Sequence, residues 1–436
     1  MIKPRLVLCS GMAVPDDDPL RIGCQVIELD SLGMNPNVHI QLEDVAKIFL
    51  KHLSPRLVDL LEIAAYVFTA DCATQRGTEW TDDDTSEPWS RNFRFVIPVR
   101  DLNFWCASDV QQLLVQVLKF LSDDDYTFEF RQLEKDRSVQ DYLEFGSDEN
   151  WPFQGVDRVI MFSGGLDSLA GAVETAHGGE NLVLVSHRPV ATLSKKQHKL
   201  FDGLRKTYCT RMIHVPVWIN KEKNFGREHT QRTRSFLYSA LGTVVAESVK
   251  ANGVRFFENG IVSLNLPIAD EVLRARASRT THPQALELFT KLYSLVVERC
   301  FVVDNPYLFK TKAEAVSIIA ERGAGHLIQH TCSCAHGFFK SRTQWHCGTC
   351  SQCIDRRIAI LAAGQEGNDV ETDYASNVFT GPRKDGPEKN MAVNYTRHAI
   401  ELYRMSEAEI AAKFNRSLRV IQAAMRQRPS SIISLM

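Results

Sequence analysis

The sequence predicts an α/β protein: a parallel sheet with helices on both faces, an N-terminal domain of mixed α+β structure, and a metal-bound C-terminal segment. Three observations predict it. From residue 158 to about 260 the apolar runs "RVIMF", "NLVLVSH", "MIHVPVW" and "VRFFENGI" alternate with helix-periodic segments, the rhythm of βαβ units. Residues 1 to about 140 carry strands and helices of their own and read as a self-contained unit. Five of the eleven cysteines fall within 22 residues, from Cys332 to Cys353, a density that asks for a metal. At 436 residues the chain exceeds one ordinary core. It divides into 1–150, 151–363 and 364–436.

Taken in order, the opening "MIKPRLVLCSGMAVPDDDPL" lacks the apolar stretch and cleavage site of a secretory signal. A helix is expected over "RLVDLLEIAAYVFTADCATQRG", ended by Gly77. The acidic run Asp82 to Asp84 lacks an ordered ligand loop and reads as a solvated turn. "NFRFVIPVR" places Phe93, Phe95, Ile97 and Val99 on one face, and "YTFEF" does the same with Tyr126, Phe128 and Phe130, the period of half-buried strands. Between them Ser108 can cap a helix whose apolar positions include Leu114, Val117, Leu118 and Leu121. The polar stretch "VQDYLEFGSDENWPFQGVD" sets a boundary near 150. The last 70 residues open on a loop, "GPRKDGPEKN", and close with helices, where Ser406 and Glu409 have capping-box spacing.

Composition narrows the function. Hydrophobic content of 44% and charged content of 24% are those of a globular protein. A net charge of −2 speaks against bulk nucleic-acid binding, which needs clustered positive charge. No apolar run reaches the roughly 20 residues that span a bilayer. The expected location is the cytoplasm, where cysteines stay reduced.

The first βα junction carries the chemistry. In "RVIMFSGGLDSLAGAVETA", Gly164 and Gly165 let backbone approach a ligand, and the following helix N-terminus presents unpaired N–H groups to an anion. A tight turn capped by Ser163 or Asp167 would use the same residues without chemistry. The loop is neither a Walker loop nor a dinucleotide fingerprint. "SGGLDS" resembles the PP-loop of the ATP pyrophosphatases, whose fold is that of the adenine nucleotide alpha hydrolases. That resemblance implies cleavage of ATP between its α and β phosphates. The backbone of Ser163, Gly164, Gly165 and Leu166 and the Ser168 hydroxyl would hold pyrophosphate, and Asp167 would orient Mg2+ or the loop.

Near the C-terminus, "TCSCAHGFFKSRTQWHCGTCSQCIDRR" contains a C-x2-C-x2-C end at Cys347, Cys350 and Cys353. Three thiolates at that spacing can meet at one point, and an upstream cysteine, Cys332 or Cys334, would close a four-thiolate Zn2+ site. An iron–sulfur cluster would want a further cysteine shortly after Cys353, and none follows. His336 and His346 lie near but are surplus to four thiolates.

A PP-loop joined to this cysteine set resembles the QueC family, the 7-cyano-7-deazaguanine synthases. "TCSC" resembles that family's segment and favours Cys334 as the first ligand. "TRSFLYSALGTVVAE" resembles its arginine-led helix and points to Arg234; "FFENGI" to Glu258, Asn259 and Gly260; "NPYLFKTKAEAV" to Lys312 and Glu314. Thr311 with Glu314 is equally a capping box, Arg234 a solvated helix residue, and the basic turn of Arg274, Arg276, Arg279 and His282 an anion site or a charged surface. The resemblance covers about residues 155 to 360. Extended QueC-like proteins with such an N-terminal half occur in bacterial anti-phage operons, and the whole layout resembles the branch found in the Qat defence system.

The resemblance implies an ATP-dependent ligase. A 7-deazaguanine carboxylate would attack the α-phosphate of ATP, catalytic Asp167, Ser168 and Lys312 would serve the transfer, and an amine would displace AMP. The acceptor would be ammonia, or an amino group on a partner protein of the defence operon, which the extra N-terminal half could dock. The sequence is equally compatible with a homo-oligomer. A tRNA-modifying enzyme, supported only by Arg416, Arg419, Arg426 and Arg428, and a non-catalytic nucleotide-binding scaffold are the other readings.

Overall fold

A computed structural model describes residues 3–41, 53–77, 89–134, 155–187, 191–264, 278–334 and 344–425. The expected boundary near 150, Asp82 to Asp84, Arg274, Arg276, His336, Arg426 and Arg428 lie outside the described residues.

The N-terminal half comprises β1 (Arg5–Cys9), β2 (Gln25–Leu29), β3 (Val38–Ile40), α1 (Pro55–Ala73), β4 (Asn92–Val99), α2 (Ser108–Ser122) and β5 (Asp125–Gln132). Then follow β6 (Arg158–Met161), α3 (Leu166–His177), β7 (Leu182–His187), α4 (Ala191–Thr207), β8 (Met212–Val217), β9 (Ile219–Lys221), α5 (Arg234–Ser248), β10 (Gly253–Arg255), α6 (Pro283–Val296), β11 (Val302–Asp304) and α7 (Lys312–Glu321). The chain ends through α8 (Ser351–Ala362), α9 (Pro387–Arg404), α10 (Glu407–Lys413) and α11 (Asn415–Met425).

The predicted parallel sheet is present, in the order β11-β10-β6-β7-β8, with every pair parallel. Its period-2 side chains part between two cores. Val159, Met161, Val183 and Val185 face one, and Ile160, Leu182 and Leu184 the other. Helix α5 covers the first face, and α3 and α4 the second. Helices therefore lie on both faces, as the uninterrupted apolar runs require of a parallel sheet. The "VRFFENGI" strand is shorter than its sequence suggests and stops at Arg255, and β11, only Val302 to Asp304, has too few residues for a periodic signal.

The N-terminal half corrects two expectations. Its sheet, β2-β1-β4-β5, is wholly parallel, which makes this half α/β rather than α+β. Nor is it self-contained: one apolar core runs from Val7, Phe95 and Leu118 into Val183, Leu241 and Phe289. Helix α1 packs on α5 and α2 on α6, while β3 pairs antiparallel with β9, Ile40 opposite Ile219. Each such buried Leu or Phe contributes about 1.5–3 kcal/mol, so neither half can complete its core alone.

A buried ion network seals the same seam. Arg91 Nη2 lies 2.5 Å from Asp71 Oδ1 and 2.7 Å from Asp124 Oδ2, and Arg76 Nη2 donates to the same two acids at 3.3 and 2.8 Å. Asp71 also accepts from the backbone N–H and hydroxyl of Thr233, both at 2.9 Å. Arg76 N–H donates to Glu228 at 2.9 Å. These pairings override local signals. Helix α1 stops at Ala73 instead of running to Gly77, because Cys72 O accepts from Arg227 and Glu228 N–H and Thr74 O from Arg91. Ser108 is the first helical residue of α2, not its cap, and Ala107 holds the cap position.

The Ser406–Glu409 capping box opens α10 as its spacing predicts. Ile410, Phe414, Leu418 and Ile421 bury against Leu264 and Leu308. Among the described residues no helix is long and apolar enough to cross a membrane.

Candidate functional site: a glycine loop and a four-cysteine centre

The segment Ser163–Gly165 leaves the C-terminal end of β6 in the middle of the sheet, the edge where open α/β sheets bind ligands. Gly164 has φ +86°, a conformation that side chains disfavour, and a Cβ there would come 3.3 Å from Gln197 Cγ. Ser163 Oγ lies 3.1 Å from Ser168 Oγ, and the Ser168 hydroxyl donates to Gly165 O at 3.1 Å. The cap position of α3 is Gly165, with no side-chain cap. The capped-turn alternative, with Ser163 or Asp167 as cap, is therefore not what the chain adopts. Helix α3 thus begins without a side-chain cap, and the dipole at such an N-terminus favours an anion. Leu166 itself is buried in the core and anchors the helix.

Asp167 sits one residue into α3. Its Oδ2 accepts from Lys312 Nζ at 2.6 Å and from Asn259 Nδ2 at 3.3 Å, and its buried Oδ1 has no partner among the described residues. Lys312 is the first residue of α7, placed there by the Thr311–Glu314 capping box. Glu314 is thus used for capping, while its neighbour reaches the loop. Burial disfavours the charged lysine, but the attraction of Asp167, with Asp355 and Glu258, outweighs it and holds Lys312 above the ordinary lysine value. Glu258 is raised by burial; its carboxylate accepts from Thr281 Oγ1 at 2.5 Å. Asn259 is fully buried beside it, and Gly260 N–H donates to Lys310 O at 2.8 Å. Asp167, Lys312, Glu258, Asn259 and Gly260 thus meet from three chain segments.

Sequence reasoning missed Asp355, on α8. Burial pushes its carboxyl up to about 6, Lys312 opposing and Asp167 reinforcing, and Tyr395 of α9 lies 3.5 Å away. A lone aspartate in a helix carries no local pattern, so only the fold reveals it.

Arg234 does not join this group. It is exposed at the start of α5, bonded to the Tyr238 hydroxyl, which itself lies 3.4 Å from His187 Nδ1. The basic turn is spoken for where it is described. Arg279 donates to Phe120 O at 2.5 Å and to Asp123 at 3.0 Å, and His282 caps α6 through Gln284 N–H at 3.1 Å. Arg416 and Arg419 are solvent-exposed on α11.

Of the two upstream cysteines, Cys334 joins the other three. The sulfurs of Cys334, Cys347, Cys350 and Cys353 all lie within 4.8 Å of one another, with Cys334–Cys350 at 4.0 Å and Cys347–Cys353 at 3.8 Å. Four sulfurs at the roughly 2.3 Å of a zinc–sulfur bond span edges of about 3.8 Å in a tetrahedron, so the set fits a metal ion such as zinc. Thr349 and Cys350 N–H both donate to Cys347 Sγ at 3.4 Å, which favours the thiolate a metal needs. Gly348 makes that turn possible: its φ is +79°, and a Cβ would meet Ser376 O at 1.8 Å. His346 is buried against Tyr374, outside the sulfur set.

The two centres touch. Cys332 N–H donates to Gly164 O at 2.9 Å, so a single residue, Ser333, separates the glycine loop's contact from Cys334. Arg356, buried on α8, fixes the strap by donating to Thr331 Oγ1 at 2.5 Å while pairing with Asp369 at 2.8 Å.

The fold and site thus define an α/β protein of parallel sheets flanked by helices, with a four-cysteine cluster able to hold a metal. No protein-family model matches the chain, and no curated protein matches it.

Proposed function

We propose that the protein is an adenylating enzyme that cleaves ATP to AMP and pyrophosphate, activates a 7-deazaguanine carboxylate and passes it to an amine. The observation that carries this reading is Asp167: a carboxylate at an uncapped helix N-terminus, held by Lys312, with one buried oxygen that has no partner among the described residues. A structural turn has no use for that oxygen; a site for a bound cation does.

The loop supplies an anion cradle that needs no rearrangement during reaction. N–H groups of α3 and the Ser163 and Ser168 hydroxyls would hold the departing pyrophosphate, where preorganised donors act most strongly. Mg2+ held by Asp167 would neutralise phosphate charge. Lys312, 2.6 Å from Asp167 Oδ2, holds that carboxylate in one direction. Glu258 and Asn259 line the same sheet edge and would orient the nucleotide. The four thiolates would hold structural Zn2+ and brace the strap over Gly164.

The resemblance of its motifs to the QueC family supports a further reading, that the chain would act in the manner of the extended branch associated with the Qat anti-phage defence system. The acceptor amine would then be ammonia or an amino group of a partner protein. The test is pyrophosphate release from Mg-ATP with and without 7-carboxy-7-deazaguanine, alongside Asp167→Asn. Substrate-dependent release that the variant lacks is expected. Release equal in parent and variant would remove Asp167 from the chemistry, and no release with any partner would leave a binding scaffold. Recovery of only the free nitrile base, with partner proteins unmodified, would exclude the protein acceptor.

A further inference from the structure

Beside the glycine loop stands a cation that the mechanism above does not use. Lys196 lies on α4, the helix that packs on Gly164: its neighbour Gln197 donates to Ser163 O at 3.2 Å, and Leu200 also faces the glycine. The Lys196 ammonium sits 3.7 Å from the centroid of the Trp345 ring. Among the described residues no carboxylate lies within ion-pairing distance of it, and Asp373 acts on it only at longer range. Burial draws this amine down to about 8, against the partial attraction of Cys332, the strap residue bonded to Gly164. Lys199 and His330 edge the same spot, and burial together with the fields of Lys199 and Lys196 lowers His330.

A half-buried ammonium without a counter-ion is costly to keep. Trp345 recovers part of that cost through the ring face. It also fixes the side chain in one place. Helix α4, which packs on the loop through Gln197 and Leu200, thus also carries a positive charge, whereas the loop's own donors are neutral N–H and hydroxyl groups.

We propose that Lys196, seated on Trp345 and edged by Lys199 and His330, is a second anion subsite that takes the terminal phosphate of the bound nucleoside triphosphate. The inference rests on the adenylating reading of the glycine loop and adds to it a residue from a different helix. Lys196 would act on binding and on departure of pyrophosphate, donating a charge-assisted hydrogen bond to its outer half. It would not touch AMP.

The test is calorimetric titration of the full chain with Mg-pyrophosphate, the non-cleavable α,β-methylene analogue of ATP, and AMP. Lys196→Met keeps the apolar stem on Trp345 and removes the charge. It is expected to weaken pyrophosphate and analogue binding by about tenfold, the scale of one charge-assisted contact, and to leave AMP unchanged. Lys196→Arg should restore most of the affinity, which a merely structural role would not predict. Unchanged pyrophosphate binding by Lys196→Met, in a parent that binds it, overturns the subsite and leaves the loop reading intact. A parent that binds none of the three ligands overturns both. Should Lys196→Met fail to fold, Lys199→Met, exposed and free of packing demands, is expected to show a weaker loss confined to the same two ligands, and equal binding there overturns the proposal.

Discussion

Lys312 and Asp167 depend on one another. Each is nearly enclosed, and each charge is tolerable because the other is 2.6 Å away. Lys312→Met should therefore cost about 3–5 kcal/mol, the penalty of stranding a buried charge. The double variant Lys312→Met/Asp167→Asn should recover part of that loss, read from urea unfolding midpoints. Strict additivity in the cycle would disprove the coupling. The pH dependence follows from the raised lysine. A group whose folded value lies above its unfolded one stabilises fully below the unfolded value and ceases to as pH passes the folded one. The pair's contribution should hold from pH 7 to 9 and decline only above about 10.4.

At the scale of elements, two turns do what only glycine permits. Gly164→Ala places a side chain at φ +86°, a strain of about 1–2 kcal/mol. On the proposed function, pyrophosphate release should fall far more than stability does, because the loop must shift where the phosphates would be held. Gly348→Ala meets a backbone carbonyl instead of a flexible side chain. By elemental analysis the parent is expected to carry about one metal per chain, and purified Gly348→Ala well under one. Equal metal content in both would show that Gly348 does not shape the cysteine turn. These turns, the β6–α3 loop and the cysteine triplet were legible because each is local: its residues lie within a few positions of one another. Spacing alone allows either Cys332 or Cys334; the resemblance favours Cys334, and the sulfur geometry decides for it. Asp355 and Lys196 were not legible, for nothing nearby in the chain marks them. Their neighbours come from segments tens to hundreds of positions away.

At the scale of the whole molecule, the Asp71, Arg76, Arg91, Asp124 network joins the halves. Its members come from α1, the segments after it and the turn before β5, and Thr233 answers from just before α5. No periodic pattern announces such a network, which explains why the N-terminal half reads from sequence as a separate unit. Asp71→Asn should destabilise by about 3–5 kcal/mol. Burial would raise the Asp71 carboxyl, but Arg91 and Arg76 hold it below its ordinary value. Its contribution is present above the unfolded carboxylate value near pH 4 and is lost as pH falls through the lower folded one. Asp71→Asn should accordingly lose less of its remaining stability than the parent on acidification below about pH 4. Unfolding followed by far-ultraviolet dichroism and by tryptophan fluorescence should coincide, because the core is shared. Two separated transitions would count against that core.

The shared core also governs how the chain comes into being. During synthesis, β1, β4 and β5 emerge long before α5 and α6, the helices that cover α1 and α2. Until about residue 296 has left the ribosome, the greasy sides of those early helices have nothing native to meet. A nascent chain in that condition is the species most prone to clump. Slower translation or a cooler culture would extend that waiting time, and a chaperone that binds apolar segments would shield it. Soluble yield should therefore respond more to such a chaperone than to any change in the finished protein's stability.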